Sequence, residues 1–116
     1  VDDSAPFREL LSAMLDEEPD MEVVGEAEYG GDALLKAKEL QPDIILLDIH
    51  MPKMDGLEAA RRLKAENPDV KIIFLTAYDF AEYRRVAKEC GADGYILKYS
   101  AVKELIPAIR KLFTKQ

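Results

Sequence analysis

The sequence predicts an α/β domain built on a parallel sheet, and three observations carry that prediction. Short apolar runs alternate with stretches of helical periodicity, and the connections between them are brief. The run Ile44-Ile45-Leu46-Leu47 is apolar without interruption, which suits a strand covered on both faces. Several of the runs also end on a polar or charged residue. In open α/β sheets ligands sit outside the carboxyl ends of the strands, so such residues are the first candidates for a site.

The elements follow in order. Ser4 is placed to cap a helix from Ala5 to Glu17, Pro6 suits its first turn, and Phe7, Leu10, Leu11, Met14 and Leu15 repeat at the spacing of one buried face. Glu18-Pro19-Asp20 breaks that helix, and Met21 to Ala27, centred on Val23 and Val24, reads as a short strand. Gly30-Gly31-Asp32 reads as a turn and cap before a helix from Ala33 to Leu40, with Ala33, Leu34, Ala37 and Leu40 facing inward. Gln41-Pro42-Asp43 precedes the strand that ends on Asp48, and Met54-Asp55-Gly56 leads to a helix from Leu57 to Glu66.

Val70 to Thr76 is the next strand, Asp79 to Cys90 the next helix, and Gly91 its C-terminal glycine. Gly94 to Lys98 is a short last strand, and Ser100 caps a last helix carrying Val102, Leu105, Ile106, Ile109, Leu112 and Phe113. Pro107 lies inside that helix, where it removes a backbone hydrogen bond and is expected to bend it. A strand should also precede the first helix, yet only Val1 to Asp3 are there to form it. We expect residues upstream of Val1 in the native protein to complete it.

With 116 residues the chain is the size of one domain, 1–116. Hydrophobic residues make up 48% and charged residues 34%, with no apolar run long enough to span a membrane. A net charge of −7 argues against phosphate-gripping nucleic-acid binding by this domain. The start Val1-Asp2-Asp3-Ser4 does not read as a secretory signal, and the single cysteine, Cys90, has no partner for an internal disulfide, so a cytoplasmic location is expected.

Taken together, the strand ends are Asp2-Asp3, Asp48, Thr76 and Lys98. Three acids brought to one sheet edge repel unless a divalent cation lies among them, and an all-oxygen donor set suits Mg²⁺. Asp48 is then a candidate nucleophile, with Thr76 and Lys98 aimed at the oxygens of an arriving phosphoryl group.

The acidic pair Asp2-Asp3, LLDIHMPKMDG from Leu46 to Gly56, FLTA from Phe74 to Ala77 and GADGYILK from Gly91 to Lys98 resemble the receiver domain of two-component response regulators. The resemblance covers essentially the whole chain. VDDSAPFREL, EVVGEA and LTAYD resemble the NarL/FixJ-type subgroup in particular, many of whose members carry a downstream helix-turn-helix module. It implies a flavodoxin-like doubly wound sheet of strand order 2-1-3-4-5 with about five helices.

The resemblance also implies the chemistry. Asp48 would accept a phosphoryl group from the phosphohistidine of a sensor histidine kinase. Asp3, Asp2 partly through water, a carboxylate oxygen of Asp48 and the backbone carbonyl of His50 would hold Mg²⁺. Thr76 and Lys98 would meet phosphoryl oxygens beside Ile49 and Ala77. Tyr95 matches the switch aromatic, turning inward as Thr76 moves and changing the face made by the fourth helix, last strand and last helix, through which a homodimer would form. Where the wider family often has a proline after the lysine, this chain has Tyr99.

Other readings stand beside this one. A dehalogenase-like phosphatase uses the same aspartyl chemistry, but it needs a second acid where this chain has His50. A degenerate receiver that binds proteins without phosphorylation is the other alternative. His50 itself reads as a backbone ligand whose side chain influences water access, and Cys90 as a packing residue. Arg84 and Arg85 read as a solvated helix face, and Gly30-Gly31 as a turn that lacks dinucleotide-binding spacing.

Overall fold

A computed structural model describes residues 1–51 and 53–114. Pro52, in the loop after Asp48, and Lys115 and Gln116 lie outside the described residues. Helix α1 spans Ala5–Asp16, α2 Gly30–Leu40, α3 Gly56–Glu66, α4 Ala81–Glu89 and α5 Ala101–Phe113. Strand β1 spans Ile44–Leu47, β2 Lys71–Thr76 and β3 Gly94–Leu97, and a single 3₁₀ turn, Lys98–Ser100, links β3 to α5.

The strands form a parallel sheet of order β1-β2-β3, with Leu47 opposite Phe74 and Thr76 opposite Leu97. Parallel pairing brings all three carboxyl ends to one edge. Alternate residues of β2 face opposite sides of the sheet: Ile72 and Phe74 join a core with Ala59, Ala60 and Leu63 of α3, while Ile73 and Leu75 join Leu11 of α1 and Leu105 and Ile109 of α5. Helices therefore cover both faces, which explains why β2 is apolar along its length. Among the described residues no helix is long and apolar enough to cross a membrane.

The helix ends show why these residues form these elements. The Ser4 side chain accepts from the Phe7 N–H at 3.3 Å, and Asp55 accepts from the Glu58 N–H at 2.9 Å. Helix α4 closes in a Schellman motif: Gly91, at φ +91°, donates to the Lys88 carbonyl and Ala92 to the Ala87 carbonyl.

Several expectations are corrected. Met21 to Ala27 is not a strand: it runs without a sheet ladder beside residues 1–2, receiving one backbone bond from Asp2 N–H to Ala27 O at 3.0 Å. A strand requires a partner along its length, and high β-propensity at Val23 and Val24 does not replace one. Among the described residues the sheet accordingly shows three strands rather than five. Val1 and Asp2 nonetheless occupy a strand-like position next to β1, because the Val1 nitrogen donates to Leu46 O at 2.5 Å and Asp48 N–H donates to Val1 O at 3.0 Å.

Helix α2 begins at Gly30, so Gly30-Gly31-Asp32 is its first turn and not a turn before it. A Cβ at Gly30 would lie 2.9 Å from Met54 Sδ and 3.2 Å from the Ala59 Cβ, so glycine lets α2 approach α3. Leu10 and Leu40 are 43% and 41% exposed rather than inward. Ser100 holds the N-cap position of α5 without a side-chain cap bond, the 3₁₀ turn taking up that role. Helix α5 continues through Pro107, which lies on its exposed side.

Candidate functional site

Asp48 is the residue after β1, and hydrogen bonds hold its backbone, its side chain and the peptide that follows it. Its N–H bonds to Val1 O, its Oδ1 accepts from His50 N–H at 3.3 Å, and the Gly56 N–H donates to the neighbouring Ile49 O at 2.7 Å. A Cβ on Gly56 would lie 2.0 Å from the Asp48 carbonyl oxygen, so only glycine permits the start of α3 to press against this peptide. Asp48 is 5% exposed and Asp2 2%.

Asp2 comes to the same edge through the short stretch before α1. Its Oδ1 accepts from Ser4 N–H at 2.8 Å, its carbonyl accepts from Arg8 at 2.6 Å, and its Oδ2 lies 2.7 Å from the Lys98 ammonium. Lys98, the residue after β3, also reaches Asp48 Oδ2 at 3.2 Å, and its ammonium stands 4.7 Å from the centre of the Phe7 ring. Carboxylate oxygens of Asp2, exposed Asp3 and buried Asp48 lie within 4.8 Å of one another.

The electrostatics follow from burial and from this crowding. Burial pushes the Asp48 carboxyl above its ordinary value, the Lys98 charge pulls it back in part, and the Asp2 charge pushes it up again. Burial pulls Lys98 down, but the hydrogen bond to Asp2 and the charges of Asp48 and Asp2 outweigh it, so the ammonium is held more firmly than usual. Three carboxylates face one ammonium, which leaves a net negative oxygen cluster. Its donors are of the type that hard divalent cations prefer, and the residues present therefore fit Mg²⁺.

Thr76, fully buried, closes β2. Its Oγ1 accepts from Tyr78 N–H at 3.3 Å, and the Tyr95 hydroxyl, reaching across from β3, donates to Tyr78 O at 2.7 Å. One loop residue thus joins the threonine hydroxyl to the tyrosine ring. The Arg84 guanidinium lies over that ring, 4.6 Å from its centre.

Comparison with known proteins places this geometry. Residues 1–110 match the family model of the response regulator receiver domain. The chain belongs to the response regulator receiver family. It is 42% identical to the response regulator protein VraR of Staphylococcus saprophyticus over 118 aligned residues, which cover 100% of this chain and 56% of VraR. The receiver thus spans about half the length of the curated relatives it matches. Its fold is similar to the signal receiver domain of the putative response regulator NarL from Mycobacterium tuberculosis, with a TM-score of 0.89, 33% identity, and coverage of 96% of this chain and 90% of that one. It is also similar to the chain from the CheX-CheY-BeF3-Mg+2 complex of Borrelia burgdorferi, with a TM-score of 0.92, 26% identity, and coverage of 98% and 86%. Its fold is flavodoxin-like, as in these receiver domains.

Within the receiver, the structure brings Asp2, Asp3, Asp48 and Lys98 together. Thr76 stands at the adjoining strand end, bonded to its own loop, and exposed Ala77 follows it. Ile49 is buried and its carbonyl accepts from the Gly56 N–H. The His50 ring packs 4.4 Å from Tyr78 and 5.2 Å from Tyr83, which leaves its backbone as the part beside Asp48. Tyr95 is half-buried with its hydroxyl engaged.

Sequence reasoning missed three supporting residues. Gly56 was legible only as a turn former, although its place directly after Asp55, a helix cap, marks a close approach of chain to chain. Phe7 reads as core from its spacing, and nothing local shows that Lys98 lies over it. Arg84 reads as a solvated face, because the strand it meets is eleven positions away in sequence.

Proposed function

We propose that the chain is a phosphorylation-dependent signalling switch in which Asp48 accepts a phosphoryl group from the phosphohistidine of a sensor histidine kinase. The observation that carries this reading is the cluster itself: a buried aspartate at a strand end, two further carboxylates within 4.8 Å, and one ammonium bridging Asp2 and Asp48.

In the transfer, an Asp48 carboxylate oxygen attacks phosphorus, the P–N bond to the kinase imidazole breaks, and the imidazole leaves with the bonding electron pair. The product is an acyl phosphate. In the hydrolysis that ends the signal, water attacks phosphorus and the carboxylate of Asp48 leaves with the P–O electron pair, releasing inorganic phosphate. Asp2, Asp3, the Asp48 carboxylate and the His50 carbonyl would hold Mg²⁺, which when bound supplies positive charge to the oxygens of the transferring group.

Lys98 is poised to leave Asp2 and Asp48 and pair with a phosphoryl oxygen. Positioned charge of this kind stabilises the transferring group with little covalent work by the protein. Thr76 turns its hydroxyl toward another oxygen and so gives up the bond it accepts from Tyr78. Because Tyr78 also holds Tyr95, the loop carries the event to the ring and to the face formed by α4, β3 and α5. Exposed Tyr99 and Val102, 82% and 68% accessible, give that face an apolar surface for a second copy of the chain. The output is control of a downstream helix-turn-helix module, as the resemblance to LuxR-type regulators suggests, with the receiver acting as a regulated acceptor that assists its own phosphorylation and dephosphorylation.

Beryllofluoride with Mg²⁺ is expected to shift the NMR spectrum and the sedimentation behaviour of the wild-type chain. Asp48→Asn abolishes both shifts. A response that persists in Asp48→Asn sinks the acceptor assignment.

A further inference from the structure

Tyr95 is held by more than its hydroxyl. The Arg84 guanidinium carbon stands 4.6 Å from the ring centre, and Arg84 Nε donates to Asp79 Oδ1 at 2.7 Å. Asp79 lies on the loop between β2 and α4, one residue past Tyr78, whose carbonyl accepts the Tyr95 hydroxyl at 2.7 Å. The ring is therefore gripped twice from one loop: directly at its hydroxyl, and on its face by a cation that the same loop orients.

We propose that Arg84 is a positioning residue for the Tyr95 switch, tying the face of the ring to the loop that follows Thr76 through the Asp79 carboxylate. The inference rests on the switch reading given above and adds a second tether to it. The physical case has three parts. A guanidinium within about 6 Å of an aromatic centroid is attracted by the negative face of the ring. A flexible arginine loses less freedom on forming that contact when a carboxylate already fixes its direction, and Asp79 does so. One tether begins on Tyr78, whose N–H is bonded to Thr76, and the other on Asp79, the next residue of the same loop, so movement of the loop redirects the hydroxyl acceptor and the cation together.

This arrangement makes α4 part of the switch rather than a passive neighbour. Arg84 belongs to the first turn of α4, and its own N–H donates to Phe80 O at 3.1 Å. Loss of the guanidinium leaves the Tyr95–Tyr78 hydrogen bond in place but frees the ring face. The expected effect is a change of about two- to fivefold in the ratio of the two Tyr95 orientations, the size of an exposed cation–π contact. A lysine at the position keeps the charge but not the planar fork that pairs with Asp79, so it restores the effect only in part.

The test uses the 116-residue chain with ¹³C-labelled tyrosine. NMR spectra of wild type, Arg84→Ala, Arg84→Lys and Tyr95→Leu are recorded with and without beryllofluoride and Mg²⁺, and ¹⁹F signals report occupancy at Asp48. The proposal expects the wild-type Arg84 Hε resonance to be displaced by the ring current and to return to the ordinary position in Tyr95→Leu. It expects the Tyr95 ring signals to move in Arg84→Ala, with partial recovery in Arg84→Lys, while beryllofluoride still binds. Unchanged Tyr95 signals in Arg84→Ala, in both the free and the beryllofluoride-bound state, overturn it. If no variant binds beryllofluoride yet the ring signals still depend on Arg84, the acceptor reading fails and the tether stands.

Discussion

Removing Lys98 leaves Asp2 and Asp48 buried side by side without the ammonium that lies 2.7 and 3.2 Å from them. Lys98→Ala is therefore expected to cost about 1–3 kcal/mol of metal-free stability at neutral pH, the penalty of orphaned buried polar groups. Urea unfolding without Mg²⁺ measures it, and a loss below a few tenths of a kcal/mol contradicts the pairing. Asp48 sets a second expectation with a definite sign. Its carboxyl is raised by burial, so the folded state prefers the protonated form, and ionisation costs stability at neutral pH. That cost disappears as pH falls through the raised value. Asp48→Asn should then be more stable than wild type near pH 7 without metal, with the gap closing toward acid. Thermal unfolding across pH tests this, and a gap that widens in acid is the contrary result. These residues were legible as types at strand ends. Their pairing was not, because which oxygen meets Lys98 depends on how Ser4, His50 and Gly56 turn the backbone.

At the scale of elements, local chemistry settles some boundaries and tertiary packing the rest. The Ser4 cap and the C-terminal Gly91 could be read directly, since each is a short-range hydrogen-bond pattern, whereas the Asp55 cap was read only as part of a turn. Asp55→Ala should lower stability by about 1 kcal/mol, seen in urea unfolding. Gly56→Ala should cost about 1–3 kcal/mol or more, because the added methyl meets the Asp48 peptide, which cannot move without shifting the site. It should also slow phosphorylation from acetyl phosphate, whereas Asp55→Ala should leave that rate nearly unchanged. Equal rates in the two variants count against the role given to Gly56. The strand expected over Met21 to Ala27 failed for the opposite reason. Its β-branched residues make a strand only where a neighbour supplies a ladder, and that neighbour is residues 1–2. Glycine at Gly30 likewise reads as a turn until α3 is seen to need the space.

For the whole molecule, the alternation of apolar runs and helical stretches was enough to predict a doubly covered parallel sheet, because only that layering buries β2 on both faces. Parallel pairing then brings Asp48, Thr76 and Lys98 to one edge regardless of how far apart they lie in sequence. The central claim, that this edge receives a phosphoryl group on Asp48, has a direct measurement. The chain is incubated with acetyl phosphate and Mg²⁺, followed by intact mass and by trapping and mapping of the modified residue. The account predicts the mass of one added phosphoryl group, labile to hydroxylamine, mapped to Asp48 and lost in Asp48→Asn or when the metal is chelated. A wild-type chain that gains no phosphoryl group, or gains it elsewhere, contradicts the account.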